Sequence, residues 1–363
     1  MLPDKSNFVK QGIELAKSLS RLYSSSRSAN KNPARTISQK TSDGTDKVKK
    51  AFEPLVEELR AHEANNPEFY KYLEEQSKVG FNKKQYDIFA AVFCARTIFT
   101  IPSVASYISK AALRGDSQAV FDAAQNLYEE SGSGNPDKMH SNLLLRTFNT
   151  HGSKIYGSKP YAKLKDVEKS LFLLEVPELT KYTKEKHRIF NSSSYPLVAG
   201  NTWAHEFTAD NMLDTIRRTL FVPYKGYYKP DEYVKLTEYF TEHKDDTKED
   251  GDVEANHERM ARAAAERACE ANINNIPKIR SGALAFLDAQ AALWNGLMRE
   301  IHGARNVGVP IPPKPDSPTK PDFPTKPDSP PNPIATKTGA ITLQEKSQGS
   351  KVSSTDNSIW GHI

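Results

Sequence analysis

The chain has 363 residues and a formal net charge of +5 at pH 7, from 50 Lys and Arg against 45 Asp and Glu. Residues 1–50 carry eleven basic and four acidic residues, a net charge of +7, which leaves −2 for the remainder. A nearly neutral body lacks the broad basic face with which proteins bind nucleic acids. The composition therefore argues against a DNA- or RNA-binding protein.

Cysteine usage and hydropathy bear on the compartment. Cys94 and Cys269 are far apart in the sequence and make no disulfide framework, as expected in a reducing environment. The most apolar stretch, residues 88–101, is too short to span a bilayer and is interrupted by Arg96. The N-terminal segment lacks the apolar core of a secretory signal peptide. We therefore expect a cytoplasmic protein without a membrane span.

Both ends of the chain have the composition of disordered tails. Residues 1–47 are polar and basic, and a tail is favoured over an organelle presequence for residues 8–28. Residues 306–363 contain the repeat KPDSPT, KPDFPT, KPDSPP at 314–331. Such a segment favours polyproline II, so it is either a solvated linker or a ligand for a proline-recognition domain. Residues 48–305 remain as the predicted folded domain.

Between the tails, apolar residues recur with a helical period. Residues 86–113 form either two helices or one helix bent at Pro102, since proline removes a helical hydrogen bond. No segment alternates like a strand, and no glycine-rich phosphate loop is present. The pattern predicts an all-α bundle. The other predicted helices cover residues 48–64, 117–130, 139–148, 167–174, 177–189, 196–221, 230–243, 253–273 and 282–302.

The first candidate metal ligands are Glu254 and His257, in the segment VEANH. Residues spaced i and i+3 project from the same face of a helix. Bundle proteins use a Glu-x-x-His pair to offer a carboxylate and an imidazole to a pair of irons. Because this spacing is also common by chance, the pair alone does not establish a site.

A second pair flanks a glycine-containing loop. One predicted helix ends at Glu129 and Glu130, a Gly-Ser-Gly segment follows, and the next helix begins near His140. Glycine lets the backbone turn sharply, so the carboxylate at the end of one helix can meet the imidazole at the start of the next.

Two further candidates lie in other predicted helices. Glu206 stands among apolar residues in TWAHEFTADNML, where a charge is costly unless it is paired or bound to a ligand. His243 ends the helix of LTEYFTEH, one turn after Tyr239. His205 points about 100° away from Glu206, which favours a packing role. His151 and His187 have no acidic partner at a useful spacing and are predicted to lie on the surface.

Taken together, these motifs resemble the haem-oxygenase-like di-iron oxidases, the superfamily of the chlamydial protein associated with death domains. The resemblance spans roughly residues 80–270, and its most specific parts are EESGSGNPDKMH and VEANH. It implies a haem-oxygenase-like helical bundle that binds two irons, or iron and manganese. Glu206 would bridge the metals or cap one of them. The six implied ligands are Glu130, His140, Glu206, His243, Glu254 and His257.

Two positions keep alternatives open. His243 and Glu254 are eleven residues apart, about 16 Å on a straight helix, so the polar segment between them would have to loop out. Asp246 or Asp252 could then replace Glu254. Asp137 also precedes His140 by three positions, but an acid in a first helical turn is favourable without any metal.

The resemblance further implies O₂ chemistry on a small amine- or carboxylate-bearing substrate, or on a side chain of the protein itself such as Tyr239. A carboxylate and imidazole ligand set suits iron and manganese. The expected partners are O₂, a small-molecule substrate and a second copy in a homodimer. Two main alternatives stay open: a metal-free bundle enzyme of the thiaminase or quinone-cofactor-synthesis type, and a non-enzymatic interaction protein that uses its proline-rich tail. A haem-degrading enzyme is a third, less favoured because no proximal histidine can be singled out near the start of the bundle.

Overall fold

The computed structural model describes residues 42–243 and 253–304, and no β-strand occurs in these two ranges. The predicted all-α architecture is confirmed. The described α-helices are α1 (Ser42–Ala61), α2 (Glu68–Val79), α3 (Lys83–Thr97), α4 (Thr100–Arg114), α5 (Ser117–Glu130), α6 (His140–His151), α7 (Leu164–Glu168), α8 (Pro177–Phe190), α9 (Tyr195–Ile216), α10 (Pro230–Glu242), α11 (Val253–Ala271) and α12 (Ile276–Gly303).

Local sequence signals account for several helix ends. Asn82 and Gln85 form a reciprocal capping box at the start of α3. The chain breaks at Ile98 and Phe99, because Pro102 cannot donate a hydrogen bond to the preceding turn. Of the two predicted forms of residues 86–113, two separate helices are therefore correct.

Helix α2 (Glu68–Val79) was not predicted, and two of the predicted helices differ clearly from the structure. Residues 167–174 divide into the short α7 and a 3₁₀ turn, Leu171–Glu175. The last helix begins at Ile276, six residues before the predicted start at Gly282, with Pro277 in its first turn. Gly282 interrupts the apolar pattern, but it lies inside the helix because it packs against α9.

Helices α3 and α4 form the one described segment apolar and long enough to cross a membrane. The segment Lys83–Arg114 is long and apolar enough to span a membrane, but 67% of its most apolar window is buried inside the fold. Every residue from Ile88 to Cys94 is buried. This burial is that of core helices in a globular bundle.

Helix α9 lies at the centre of the bundle and packs most extensively on α12 and α11. A Cβ atom at Gly200 would lie 2.0 Å from the carbonyl oxygen of Ile279, and one at Gly282 would lie 1.9 Å from that of Leu197. The Asn201 side chain donates to the Gly282 carbonyl across the same contact, at 3.1 Å. Because α9 and α12 meet backbone to backbone here, the position of α9 in the bundle is fixed.

Two further helix pairs complete the surroundings of α9. Helix α6 packs on α10, where the Thr147 hydroxyl donates to the carbonyl oxygen of Leu236 at 2.7 Å. Helix α5 packs on α4 and on α11. The end of α5, the start of α6, the end of α10 and the start of α11 are thereby brought to one region of the bundle.

Candidate metal centre

The loop between α5 and α6 brings Glu130 and His140 together. Gly132 and Gly134 have φ values of 85° and 90°, and Ser133 between them has 52°. At Gly132 a Cβ atom would lie 2.2 Å from the carbonyl oxygen of Asn135, so only glycine fits. The sharp turn expected from the sequence is present. It places His140 Nδ1 3.3 Å from Glu130 Oε2, with both side chains largely buried.

His243 joins this pair from the end of α10. Its ring centroid lies 4.5 Å from that of His140. Its Nδ1 lies 2.6 Å from the carbonyl oxygen of Tyr239. A carbonyl only accepts, so Nδ1 carries the proton and Nε2 is the nitrogen with the lone pair that can bind a metal. Burial, and then the neighbouring His140, lower the pKa of His243 to about 4, which keeps the imidazole in the neutral form that binds metals.

One potential ligand atom from each of Glu130, His140 and His243 lies within 4.8 Å of the other two. The described residues leave the buried Nδ1 of His140 without a hydrogen bond, although a carboxylate oxygen is only 3.3 Å away. One carboxylate and two imidazoles form a donor set that suits iron or manganese. The residues present therefore fit a metal ion held among these three side chains.

A second group lies beside the first, around Glu206 of α9 and His257 of α11. Asn126 donates its side-chain amide to Glu206 Oε1 at 3.3 Å. His257, only 3% exposed, places Nε2 2.8 Å from Glu129 Oε2. A cavity of about 20 Å³, room for about one water molecule, is bordered by both Glu206 and His257. Asn126 Oδ1 and Thr202 Oγ1, which belong to the cavity lining, have no hydrogen-bond partner among the described residues.

Electrostatics couple the two groups. Burial alone would raise the pKa of Glu130, but His140, His243 and His257 together lower it. The pKa of Glu206 is raised, first by burial and then by the negative charge of Glu130, while His257 opposes this shift. The charge of Glu130 therefore acts on Glu206, and His257 acts on both carboxylates.

The remaining candidate acids are placed as follows. Glu254 belongs to α11, one turn before His257, but its side chain lies outside the described residues. Asp246 and Asp252 also lie outside them, so the choice among the three acids stays a prediction. Asp137 is exposed and its backbone N–H donates to the Asn135 side chain, at a distance of 3.0 Å. It takes no part in the cluster.

Sequence reasoning missed two side chains of the centre, Asn126 and Glu129. Asn126 stands one turn before Glu130 on the same face of α5, a spacing that could have revealed it. Glu129 and Glu130 are consecutive acids at the end of α5, and the sequence alone does not show that both face the centre. Tyr239, by contrast, does lie beside His243 as expected from the spacing, with a centroid distance of 4.6 Å.

The predictions for the other histidines have mixed outcomes. His187 is exposed, as predicted. His151 is fully buried, so its predicted surface position is wrong. Its Nδ1 pairs with the Tyr228 hydroxyl at 2.9 Å. Helix α6 runs on past Phe148, and this extra turn carries His151 into the core instead of into a surface loop.

Comparison with known proteins agrees with this fold. A family model described as "iron-containing redox enzyme" matches residues 103–291, which include all six predicted ligands. Two crystal structures of a CADD-like protein of unknown function from Nostoc punctiforme PCC 73102 each give a TM-score of 0.51. Their sequences are 17% and 16% identical to this chain. The two matches cover 69% and 70% of this chain, and 99% and 97% of the matched chains. At that identity the likeness shows the fold alone. No curated protein matches the chain.

Proposed function

Because this chain belongs to the family of iron-containing redox enzymes, we propose that it is a di-iron oxidase that uses O₂ to oxidise a small amine- or carboxylate-bearing substrate. The observation that carries the proposal is the cluster of Glu130, His140 and His243, whose ligand atoms lie within 4.8 Å of one another. Glu206 and His257 lie beside it and are electrostatically coupled to it.

In this proposal the first group, Glu130, His140 and His243, holds one metal ion. Glu206 and His257 hold the second ion, and Glu254 is the acid expected to complete its ligands. Glu-x-x-His pairs on bundle helices serve this purpose in other di-iron proteins. Manganese in one position would be held by the same donors.

Iron in this centre would supply the electrons and the open coordination positions that O₂ chemistry requires. The chain's own residues would set its geometry and access. The Tyr239 carbonyl holds Nδ1 of His243, which fixes the tautomer and directs Nε2 toward the centre. The cavity bordered by Glu206 and His257 has room for about one molecule of the size of water and adjoins the position proposed for the second ion.

O₂ uptake by full-length protein loaded anaerobically with Fe²⁺ tests this function. We expect consumption of O₂ in proportion to the bound iron, with none above free Fe²⁺ in the Glu130→Gln and His140→Ala variants. A protein that binds iron but consumes no O₂ would contradict the oxidase assignment. A protein that binds only trace iron would favour the metal-free bundle enzyme. O₂ uptake that survives deletion of residues 306–363 would separate the catalytic body from the proline-rich tail.

A further inference from the structure

Two cations are buried in the interior of the bundle, and no described carboxylate forms an ion pair with either. Arg96 of α3 is 4% exposed and Lys186 of α8 is 3% exposed. Across residues 42–243 and 253–304, no carboxylate lies within ion-pair distance of either side chain. Buried lysine and arginine are normally paired, since an unpaired buried charge is costly. These two residues therefore need an explanation beyond packing.

Aromatic rings, not acids, surround the two cations. The Arg96 guanidinium carbon lies 5.7 Å from the ring centroids of both Tyr182 and Trp294. Lys186 Nζ lies 5.7 Å from the same Tyr182 ring, so both cations flank one aromatic side chain. Phe190 and Phe286 are within 5.7 Å and 5.4 Å of Nζ. Ring faces attract cations only weakly compared with a carboxylate.

Hydrogen bonding leaves donors free in the same place. Arg96 donates one Nη to Gln290 Oε1 at 2.6 Å, and Gln290 is oriented by its own bond to the Thr208 hydroxyl at 2.9 Å. Arg96 Nε and Tyr182 Oη are buried without a hydrogen-bond partner in the described part of the chain. No hydrogen bond joins Lys186 Nζ to any described residue. Two positive charges and several unused donors are what an anionic group would bind.

The electrostatic consequences are visible in the neighbouring groups. Burial, and then Arg96, lower the pKa of Lys186 to about 7, while the carboxylate of Glu206 opposes this shift. The acid that acts on Lys186 is thus Glu206, a residue of the candidate metal centre. Geometry agrees with this, because Gln290, which accepts from Arg96, also donates to Thr208 of α9, two residues after Glu206. The cations and the metal centre therefore both adjoin α9.

We propose that Arg96 and Lys186 bind the carboxylate group of an organic acid, which places its apolar part among the surrounding aromatic rings. This proposal rests on the proposed function, because it makes that acid the substrate of the adjacent centre. The anion neutralises the two buried charges and accepts hydrogen bonds from the unused donors. A site with two cations favours a carboxylate-bearing substrate over an amine-bearing one.

Thermal unfolding of the full-length protein, both iron-free and iron-loaded, tests the carboxylate site. The probes are benzoate and hexanoate, each compared with its neutral amide, benzamide or hexanamide. We expect both carboxylates to raise the midpoint temperature by several degrees at millimolar concentration, and the amides to leave it unchanged. The Lys186→Met and Arg96→Met variants should bind benzoate at least about tenfold more weakly. Lys184→Met, on the exposed face of the same helix, is the matched control and should bind as the unmodified protein does.

Lys186→Met also gives a readout that needs no ligand. If the lysine is kept for an anion, the ligand-free variant should be as stable as the unmodified protein or more so, because an unpaired charge has left the core. A large loss of stability would overturn the proposal in favour of a structural role. So would equal stabilisation by acid and amide, or no stabilisation by either carboxylate. Carboxylate binding by a protein that takes up no iron would retain the anion site and refute only its place beside an oxidising centre.

Discussion

Glu129, and not its neighbour Glu130, is the carboxylate that contacts His257, with Oε2 2.8 Å from the imidazole Nε2. Glu130 instead lies 3.3 Å from His140. The two consecutive acids at the end of α5 thus face different histidines. The Glu129 side chain is 31% exposed and that of Glu130 is 13% exposed, so Glu129 can turn toward solvent while Glu130 cannot. Only Glu130 belongs to the three-residue cluster.

This difference predicts unequal effects of two neighbouring substitutions. Glu130→Gln removes the carboxylate of the cluster and should weaken Fe²⁺ binding at least about tenfold. Glu129→Gln should leave the iron content unchanged, since His257 Nε2 would bind the proposed second ion without its contact to Glu129. Iron content after anaerobic loading and desalting measures both. Equal losses in the two variants would show that Glu129 is itself a ligand.

The loop that presents His140 should depend on Gly132 far more than on Gly134. Both have positive φ, but a Cβ atom would lie 2.2 Å from the Asn135 carbonyl oxygen at Gly132 and no closer than 3.4 Å to any atom at Gly134. Gly132→Ala should therefore cost more than the about 1 kcal/mol expected of backbone strain alone, and should lower iron affinity by displacing His140. Urea unfolding and iron titration of both variants check this. Similar behaviour of the two would mean that the turn does not set the site.

The close contact between α9 and α12 predicts another contrast between glycines. A Cβ atom at Gly282 would collide with the Leu197 carbonyl oxygen, whereas one at Gly303 meets nothing within 4 Å. Gly282→Ala should destabilise the fold by about 1–3 kcal/mol, since two backbones must separate. Gly303→Ala should be neutral or slightly stabilising. The free energies of unfolding in urea measure both, and a Gly282→Ala protein of normal stability would refute the tight contact.

His151 predicts a specific loss of stability in acid. Burial lowers its pKa from the ordinary 6.5 to about 3. Between these values the unfolded chain binds a proton that the folded chain does not, so stability falls as the pH falls from about 6.5 toward 3. One such group contributes at most about 1.4 kcal/mol per pH unit. In His151→Gln, which retains a hydrogen-bonding side chain, the slope of unfolding free energy against pH should be shallower. An unchanged slope would contradict a neutral, buried His151.

The parts of the structure predictable from sequence are those fixed by short-range patterns. Helical periodicity predicted the bundle, and the Gly-Ser-Gly loop predicted the meeting of Glu130 and His140, because both depend on a few consecutive residues. The approach of His243 to His140 depends on packing of α6 against α10, so it came from the family resemblance and not from spacing. His151 was misplaced because the predicted helix stopped at Phe148, although position 151 continues the buried face by one turn.

The burial of Arg96 and Lys186 could not be predicted from the sequence for a related reason. In the sequence Arg96 interrupts an apolar stretch, and Lys186 lies in a helix with two exposed lysines. Nothing in their sequence neighbourhoods shows that α3 and α8 turn these two residues toward the same aromatic ring. Only the tertiary structure relates them to each other and to Glu206.

Anaerobic titration of the full-length protein with Fe²⁺ tests the central claim, a paired metal centre, most directly. We predict about two ions bound per chain. His140→Ala and His257→Ala should each reduce binding, because His140 is a proposed ligand of the first ion and His257 of the second. His187→Ala, at an exposed position, is the matched control and should bind as the unmodified protein does. Binding of only trace iron, or binding that neither His140→Ala nor His257→Ala reduces, would contradict the account.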